Sequence, residues 1–278
     1  MSLLATRRSI VDRRPPAVGV VVATVFLAVL LLAALLPAVL APLDPLDAHI
    51  SDSLRAPSGE HFFGTDKSGR DVFSRVIYGA RYSLVVGFGA SAIALVVGLL
   101  VGLISGLAPR PVDAVLGRFI VVAMAFPEFL LALLVIAIIG PGEVSLVFAI
   151  ALAAIPAYAR VARAQTRVVA SSSYVRAATA LGVPRLVAIV RHVIPNTLGP
   201  LLVMATIGVG TAVVSAAGLS FLGLGPAAPT PEWGVILSEG RNLLDRAPWV
   251  AVFPGLVITA TVISTSIVGR AVRAWGRR

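Results

Sequence analysis

The sequence contains no cysteine and few charged residues. Without cysteine, the chain cannot form a disulfide framework, a thiolate site for zinc or an iron–sulfur cluster, or a cysteine nucleophile. Charged residues make up 13% of the 278 positions, about half the share found in ordinary soluble domains. Hydrophobic residues make up 58%, and the mean hydropathy is +0.97. This composition excludes a soluble or disordered chain and indicates a membrane protein.

The sequence also lacks the residue spacings that build common catalytic and metal sites. It contains three histidines, and none lies in the His-Glu-x-x-His pattern of zinc hydrolases. The segment 64–71 has glycines spaced as in a phosphate loop, but no Lys-Ser or Lys-Thr pair follows the second glycine. We therefore expect no catalytic residue, bound metal or bound cofactor in this chain.

Apolar stretches long enough to cross a membrane are abundant. A helix of about 20 residues spans a hydrocarbon core of roughly 30 Å. Residues 1–16 form a short N-terminal segment, and residues 17–278 form the predicted transmembrane domain. The predicted fold class is an all-α membrane protein with six transmembrane helices. These helices are expected at about 17–40, 82–107, 119–139, 144–164, 197–220 and 247–269.

Basic residues are concentrated on one side of these crossings. Six crossings place both termini on the same side of the membrane. Arginines cluster in 1–16, 108–118 and 160–191 and at the C-terminus, whereas most acidic residues fall in the other connections. The positive-inside rule therefore predicts that both termini are cytoplasmic. Membrane topology then explains the net charge of +10, which does not indicate binding to nucleic acid.

The connection 165–196 is predicted to contain a short helix at about 174–181. Serines at 171–173 offer oxygens as N-caps, and Gly182 and Pro184 are typical of a helix end. Eight residues do not form a stable helix alone in water, so something must cover the apolar stripe of this helix. Two interpretations remain open: a helix lying on the lipid surface, or one docked in a groove of a cytoplasmic partner. The stripe comprises Tyr174, Ala177, Ala178 and Leu181.

Glu128 is the one acidic residue near the middle of a predicted crossing, directly after Pro127. A charge at that depth costs about 3 kcal/mol on insertion scales, so the side chain should face a cavity, a partner or the interior of the bundle. Two interpretations remain open. Glu128 lines the translocation pathway and contacts an amine of the solute, or it has a structural role at a helix kink or a subunit interface.

Gly98, Gly102 and Gly106 recur every four residues in the second crossing. Because they lack side chains, these positions allow another helix to approach closely, as in the small-xxx-small contacts of membrane bundles. We therefore expect helix packing at these glycines, in preference to pore lining.

Three stretches of the sequence together resemble one family. The run YVRAATALGVP at 174–184, followed by RHVIPN at 191–196, resembles the EAA loop of ABC importer permeases. Residues 63–84, which begin FGTD, and residues 219–255, which contain LGLG and PEWG, are similar to segments of the same group. The chain thus resembles the C-type permease subunit of the dipeptide, oligopeptide and nickel ABC importers.

The resemblance implies a type I ABC importer permease bundle in a bacterial plasma (inner) membrane, with peptides or peptide-like solutes as cargo. The implied partners are a second homologous permease, two ATP-binding domains, an extracytoplasmic solute-binding protein and membrane lipid. ATP and magnesium are expected on the partner ATPases. The predicted short helix is implied to be a coupling helix that contacts an ATPase. The implied coupling residues are Tyr174, Arg176, Ala177, Ala178, Leu181 and Gly182, the last of which sets the turn.

The chain departs from the family pattern in the short helix and near the C-terminus. Arg176 stands where an acidic residue is common, and Thr179 stands where a basic residue often follows the two alanines. Arg270 stands where aspartate often follows a glycine, and arginines replace the usual acidic tail. We therefore expect the salt bridge that the resemblance implies between the coupling helix and the ATPase to be reversed or absent. Two alternatives stay open: a permease of the same family for nickel or another non-peptide solute, and a stand-alone secondary transporter or channel. The sequence shows no inverted repeat of the kind that many secondary transporters carry.

Overall fold

The chain is predominantly helical in the computed structural model, which describes residues 17–275. The predicted N-terminal segment 1–16 lies outside the described residues. A π-helical turn at Ile189–Val193 joins α8 to α9, and 3-10 turns lie at Ile50–Asp52 and Arg241–Leu243. The helices of the described range are α1 Ala17–Leu35, α2 Pro37–Leu40, α3 Val72–Leu107, α4 Arg110–Ala125, α5 Glu128–Ile139, α6 Glu143–Ala170, α7 Ser173–Ala180, α8 Arg185–Ala188, α9 Ile194–Phe221, α10 Trp233–Gly240 and α11 Trp249–Trp275.

Five helical stretches are long and apolar enough to cross a membrane: α1, α3, α6, the stretch Arg185–Phe221 that includes α9, and α11. They correspond to five of the six predicted crossings, and the all-α membrane fold is confirmed. Helix α3 begins at Val72, earlier than expected, because Asp71 caps it. The Asp71 carboxylate accepts a hydrogen bond from the backbone amide of Ser74 at 2.7 Å.

The third predicted crossing is a broken helix, so the expectation of one continuous helix at 119–139 was wrong. Helices α4 and α5 replace it, and their axes differ in direction by 91°. Pro127 favours the break, because proline has no N–H and disfavours a helical conformation at the preceding Phe126, which is extended with φ −83° and ψ 134°. Glu128 consequently lies in the first turn of α5 and not in the middle of a straight helix.

Helix α3 lies at the centre of the bundle. It makes its largest contact with α6 and also packs against α9, while α11 packs against α9. Helix α1 packs against α3 and α11. Small residues such as Ala90, Ala149 and Ala216 form much of the core and allow the helices to approach closely. We call the end of the bundle that carries α7 and the C-terminus of α11 the α7 end, and the opposite end the α10 end.

At the α10 end, the connections before α3 and around α10 are joined by a buried ionic cluster. The Arg75 guanidinium is fully buried and contacts the carboxylates of Asp66 at 2.7 Å and Glu239 at 2.6 Å. The Trp233 indole donates a hydrogen bond to the carbonyl oxygen of Val76 at 2.9 Å. Buried charges are tolerated only when they are paired, so these contacts hold the two connections on the helices.

Glu232 caps the start of α10. Its carboxylate accepts hydrogen bonds from the backbone amide of Val235 at 3.0 Å and from the hydroxyl of Ser83 at 3.3 Å. Burial raises the pKa of Glu232 above its usual value, because desolvation disfavours the charged form. The buried Glu232 carboxyl therefore links the start of α10 to α3.

Candidate functional site

Helix α7 leaves most of its predicted apolar stripe uncovered. Leu181, just after the helix, is 86% exposed and Tyr174 is 46% exposed; Ala177 is exposed and Ala178 is half-buried. Val175 is the buried residue of α7 and attaches the helix to the rest of the chain. The helix is therefore held on one side and presents Tyr174, Ala177 and Leu181 outward.

The two ends of α7 are formed by different means. The serines that precede it were expected to cap it, but their hydroxyls bond backwards. Ser171 and Ser172 donate to the carbonyl oxygens of Val168 at 3.1 Å and Val169 at 2.6 Å, so no side chain caps the helix. At the other end, Gly182 adopts a φ of +90°, a conformation that favours glycine. Gly182 thus sets the direction in which the chain leaves α7.

The surface beside α7 is apolar and basic. Leu186 is 72% exposed and Val190 is 57% exposed, and Arg176 on α7 and Arg191 after α8 are also exposed. The segment 171–196 contains no acidic residue. Exposed apolar side chains that cluster in this way mark a contact surface with a partner or with lipid.

A buried carboxylate ties three helices together next to α7. Asp113, near the start of α4, is 5% exposed. Its carboxylate accepts hydrogen bonds from Nε and Nη2 of Arg163 at 2.6 and 2.9 Å, from Arg167, and from the Ser105 hydroxyl at 3.0 Å. Ser105 belongs to α3, and both arginines belong to α6. We call these four residues the Asp113 cluster; it joins α3, α4 and α6 at the α7 end.

Asp113 was not predicted to have a role, although its position in the sequence indicates an ion pair. Asp113 is the single acidic residue between positions 72 and 127, and it lies among arginines. An acid in such surroundings is expected to form an ion pair. The sequence does not indicate which arginines pair with it, since Arg163 and Arg167 are 50 and 54 positions away along the chain.

A cleft of about 960 Å³ lies between α3, α6 and α9, with contributions from α5 and α11. Glu128 is the acidic residue and Arg273 the basic residue among the described residues that line it. The rest of the wall is mostly apolar. Because Arg273 lies near the end of α11 while other lining residues lie midway along α3, the cleft extends from the middle of the bundle towards the α7 end. Uncharged polar side chains in the wall are Ser91, Tyr158, Gln165, Asn196 and Thr211.

The sequence left two alternatives for Glu128, a position at a helix kink and a position that faces the space between the helices, and the structure shows both. Glu128 directly follows the break between α4 and α5, and it also lines the cleft. The residue is therefore positioned at a kink and is exposed to the space between the helices.

The three glycines of the second crossing face α6. A Cβ atom at Gly98 or Gly102 would collide with the Cβ atom of a residue on α6, and a Cβ atom at Gly106 would lie 2.7 Å from a side-chain carbon of α6. The absent side chains thus allow α3 and α6 to lie in close contact. The facing residues are Tyr158 for Gly98, Ala162 for Gly102 and Thr166 for Gly106.

Replacing Gly102 with alanine is expected to lower the free energy of unfolding by about 1–3 kcal/mol, because the new Cβ atom overpacks a helix contact that includes backbone atoms of α6. Thermal unfolding in detergent measures this loss. Gly199→Ala is the matched control, since Gly199 is also helical and has nothing within 4 Å of its Cβ position. An equal midpoint for both variants would contradict the close packing of α3 on α6.

Residues 98–277 match the family described as binding-protein-dependent transport system inner membrane component. The chain is also 40% identical over 260 residues to the dipeptide transport system permease protein DppC of Alkalihalophilus pseudofirmus. That alignment covers 92% of this chain and 83% of the relative. Over 261 residues the chain is 37% identical to the di/tripeptide transport system permease protein DppC of Pseudomonas aeruginosa, covering 92% of this chain and 86% of the relative.

A third relative is the glutathione transport system permease protein GsiD of Escherichia coli. It is 39% identical over 252 residues, which cover 90% of this chain and 83% of the relative. The alignment with each of these relatives thus covers nearly the whole of this chain.

Solved structures show the same helical fold. A chain of the MetNI methionine ABC transporter has a TM-score of 0.60 at 20% identity, covering 72% of this chain and 95% of that one. A chain of an amino acid ABC transporter has a TM-score of 0.57 at 18% identity, covering 74% of this chain and 94% of that one. With its apolar helices and its match over most of the sequence, this multi-pass membrane protein belongs to the family of inner membrane components of binding-protein-dependent transport systems.

Proposed function

We propose that this chain is one of two permease subunits of an ATP-driven importer that moves peptides or peptide-like solutes into the cytoplasm. The names of its relatives, which refer to dipeptides, di/tripeptides and glutathione, support this cargo. The cleft supports it as well, because a mostly apolar wall with a few polar groups accepts varied side chains. A solute-binding protein on the other side of the membrane delivers the solute.

The exposed face of α7 is the observation that carries the proposal. A permease that binds no nucleotide needs a contact through which an ATP-hydrolysing partner moves it. Tyr174, Ala177 and Leu181 offer an apolar face of the kind that inserts into a groove on another protein. Two ATP-binding domains, with their ATP and magnesium, are the proposed partners at this end of the bundle.

The Asp113 cluster provides a route from α7 to the cleft. Helix α7 follows α6 directly, and the cluster joins the end of α6 to α3 and α4. Helix α4 leads through the break at Pro127 to Glu128 in the cleft wall. When the ATPases close on ATP, α7 and its counterpart on the second permease are drawn together and the cleft opens to the solute-binding protein. Hydrolysis returns the bundle to its starting state.

We infer the orientation of the chain in the membrane from the distribution of charge. Acidic residues dominate the connections at the α10 end, whereas arginines gather at the α7 end. The positive-inside rule therefore supports a cytoplasmic α7 end, where the ATPases lie. The described arginines at this end are Arg110, Arg118, Arg160, Arg163, Arg167, Arg176, Arg185, Arg191, Arg270 and Arg273.

Reconstitution tests the proposed function. The chain, the second permease, both ATPases and the solute-binding protein are assembled in proteoliposomes and supplied with radiolabelled dialanine. We expect uptake that requires both ATP and the solute-binding protein. Absence of uptake for dialanine and for a mixed pool of tri- and tetrapeptides would contradict a peptide importer.

Replacing Glu128 with glutamine is expected to reduce uptake at least about tenfold while leaving assembly of the complex unchanged. The variant loses a charged contact with the solute, and hydrogen bonds to charged groups contribute about 1.5–3 kcal/mol. Glu143→Gln is a control, because Glu143 begins α6 near the α10 end and does not line the cleft. Normal uptake by Glu128→Gln at normal abundance would remove Glu128 from the pathway.

A further inference from the structure

The helical stretch from α8 to α9 contains one irregular turn. The backbone is π-helical at Ile189–Val193, and the Ile194 amide donates a hydrogen bond to the Ile189 carbonyl oxygen, five residues earlier. Pro195 follows in the first turn of α9 and favours this irregularity, because proline has no N–H and its ring collides with the carbonyl four residues earlier in a regular α-helix. Helices bend at such turns, so movement of α7 can be absorbed here before it reaches α9.

The imidazole ring of His192 connects this turn to α7. His192 lies in the π-helical turn, and its ring meets the ring of Tyr174 edge to face, with centroids 6.0 Å apart and planes at 82°. This distance and this angle are those that aromatic pairs prefer. Tyr174 remains partly exposed on the outward face of α7. The same side chain therefore belongs to the proposed ATPase contact and also touches the π-helical turn.

Asn196 connects the turn to the wall of the cleft. Its side-chain amide donates a hydrogen bond to the His192 carbonyl oxygen at 2.7 Å, across the junction between the π-helical turn and α9. Asn196 and the neighbouring Pro195 both line the cleft. A chain of contacts thus runs from the outward face of α7 to the cleft wall. We call Tyr174, His192 and Asn196 the His192 brace.

The His192 brace is separate from the Asp113 cluster. That cluster joins the end of α6 to α3 and α4, whereas the brace joins α7 to α9. The inner side of the turn is fixed by packing, since Ala188 and Val193 are buried. The outer side is less constrained, because Val190 is exposed and His192 is half-buried. The ring contact therefore lies on the side where the turn is free to bend.

We propose that His192 is a positioning residue that stiffens the π-helical turn, so that α9 follows α7 when the ATPases move it. The Tyr174 ring displaces the imidazole, and the His192 backbone transmits this displacement to α9 with the help of the Asn196 hydrogen bond. Coupling of this kind is carried by packed side chains and hydrogen bonds in direct contact. The assignment rests on the proposed function, because it specifies how movement of α7 reaches the solute pathway.

The number of solute molecules imported per ATP hydrolysed tests the brace in the complete reconstituted complex. For His192→Ala we expect unchanged binding of the ATPases and continued ATP hydrolysis, because the outward face of α7 is intact. Import of dialanine per ATP should fall about two- to tenfold, the factor that corresponds to one aromatic contact. His192→Phe should keep the wild-type ratio, because it retains a ring at this position. A residue that only fills space would not require a ring.

His49→Ala is the matched control for the same chemical change. His49 lies at the α10 end, where its exposed side chain contacts the neighbouring Asp47. The import ratio of this variant should equal that of the wild type. A fall as large as that of His192→Ala would contradict a role specific to the π-helical turn.

Distances between spin labels test the brace without any solute. The chain has no cysteine, so labels can be attached at Ala180→Cys on α7 and Val214→Cys on α9, both exposed, in a complex whose other subunits lack reactive cysteines. We expect one label-to-label distance with and without a non-hydrolysable ATP analogue in the otherwise wild-type chain and in His192→Phe, because α9 follows α7. In His192→Ala the distance in the nucleotide-bound state should shift or its distribution should broaden.

A second variant covers the case in which His192→Ala does not assemble. Asn196→Leu removes the hydrogen-bond donor at an exposed position of the cleft wall, so the chain should fold. It should show the same shift or broadening of the label distance. An unchanged distance in this variant would then overturn the brace.

The outcomes separate the brace from the proposed function. Where the wild type imports dialanine, an unchanged import ratio or an unchanged label distance in His192→Ala would overturn the brace alone. A ratio as low in His192→Phe as in His192→Ala would overturn it as well. Failure of the wild type to import dialanine or the mixed peptide pool would overturn the proposed function, while the label distances, which need no solute, still decide the brace.

Discussion

Replacing Leu181 with aspartate is expected to abolish ATP-driven uptake, because the variant loses its contact with the ATPase. Leu181 is 86% exposed, so the change should not disturb the chain on its own. It would place an unpaired carboxylate in an apolar contact with the partner. Disruption of a central residue in such a contact costs about 2–4 kcal/mol, or roughly a 30- to 1,000-fold loss of affinity. Copurification and surface plasmon resonance with the isolated ATPases measure that loss.

The control for this variant is an equally exposed aliphatic residue at the other end of the bundle. Ile50 is 84% exposed and lies before α3 at the α10 end. Ile50→Asp should leave ATPase binding unchanged, since it makes the same chemical change away from α7. If Leu181→Asp also binds the ATPases normally, α7 is not held in a groove, and the alternative of a helix on the lipid surface is favoured.

Replacing Asp113 with alanine is expected to destabilise the folded chain by about 3 kcal/mol. Removal of one partner from a buried ion pair costs about 3–5 kcal/mol, and the lower value applies because the Arg163 side chain retains 26% exposure. The loss leaves the Arg163 and Arg167 guanidinium groups close to each other without a shared acid. The midpoint of thermal unfolding in detergent should fall, and uptake should fall with it because α4 is released from α6.

Two comparisons distinguish a specific cluster from general damage at this end of the bundle. The Arg167 side chain is 49% exposed, so Arg167→Ala should cost less than about 1 kcal/mol, as for other exposed ion pairs. The double variant of Asp113→Ala with Arg163→Ala should be less destabilised than the sum of the two single variants, because it leaves neither member of this pair without its partner. Strict additivity would show that Asp113 and Arg163 do not act as a pair.

Local sequence features predicted some elements well and others poorly. The position of α7 and its end at Gly182 were anticipated, because a glycine with positive φ followed by proline depends on backbone sterics within a few residues. The expected serine caps were wrong, because a serine hydroxyl can also bond to a carbonyl three residues earlier, as Ser171 and Ser172 do at the end of α6.

The broken third crossing shows that an apolar stretch by itself does not predict where a helix breaks. The stretch 119–139 is apolar on both sides of Pro127, and hydropathy averaged over a membrane span does not register a single proline. The proline alone did not decide the outcome either, since Pro156 and Pro200 lie within continuous helices. Helices α4 and α5 each pack against α6, and such contacts between helices are not a local property of the sequence.

The sequence by itself determined the membrane class, five of the crossings, the charge asymmetry between the two ends and the location of α7. These features depend on side-chain transfer energies and on backbone preferences of adjacent residues, which a linear sequence contains. Only the tertiary structure decided that Asp113 pairs with Arg163, and that Tyr158, Ser91 and Glu128 line one cleft. The residues in each set come from different helices, and distances between distant positions depend on how the helices pack, which no single segment specifies.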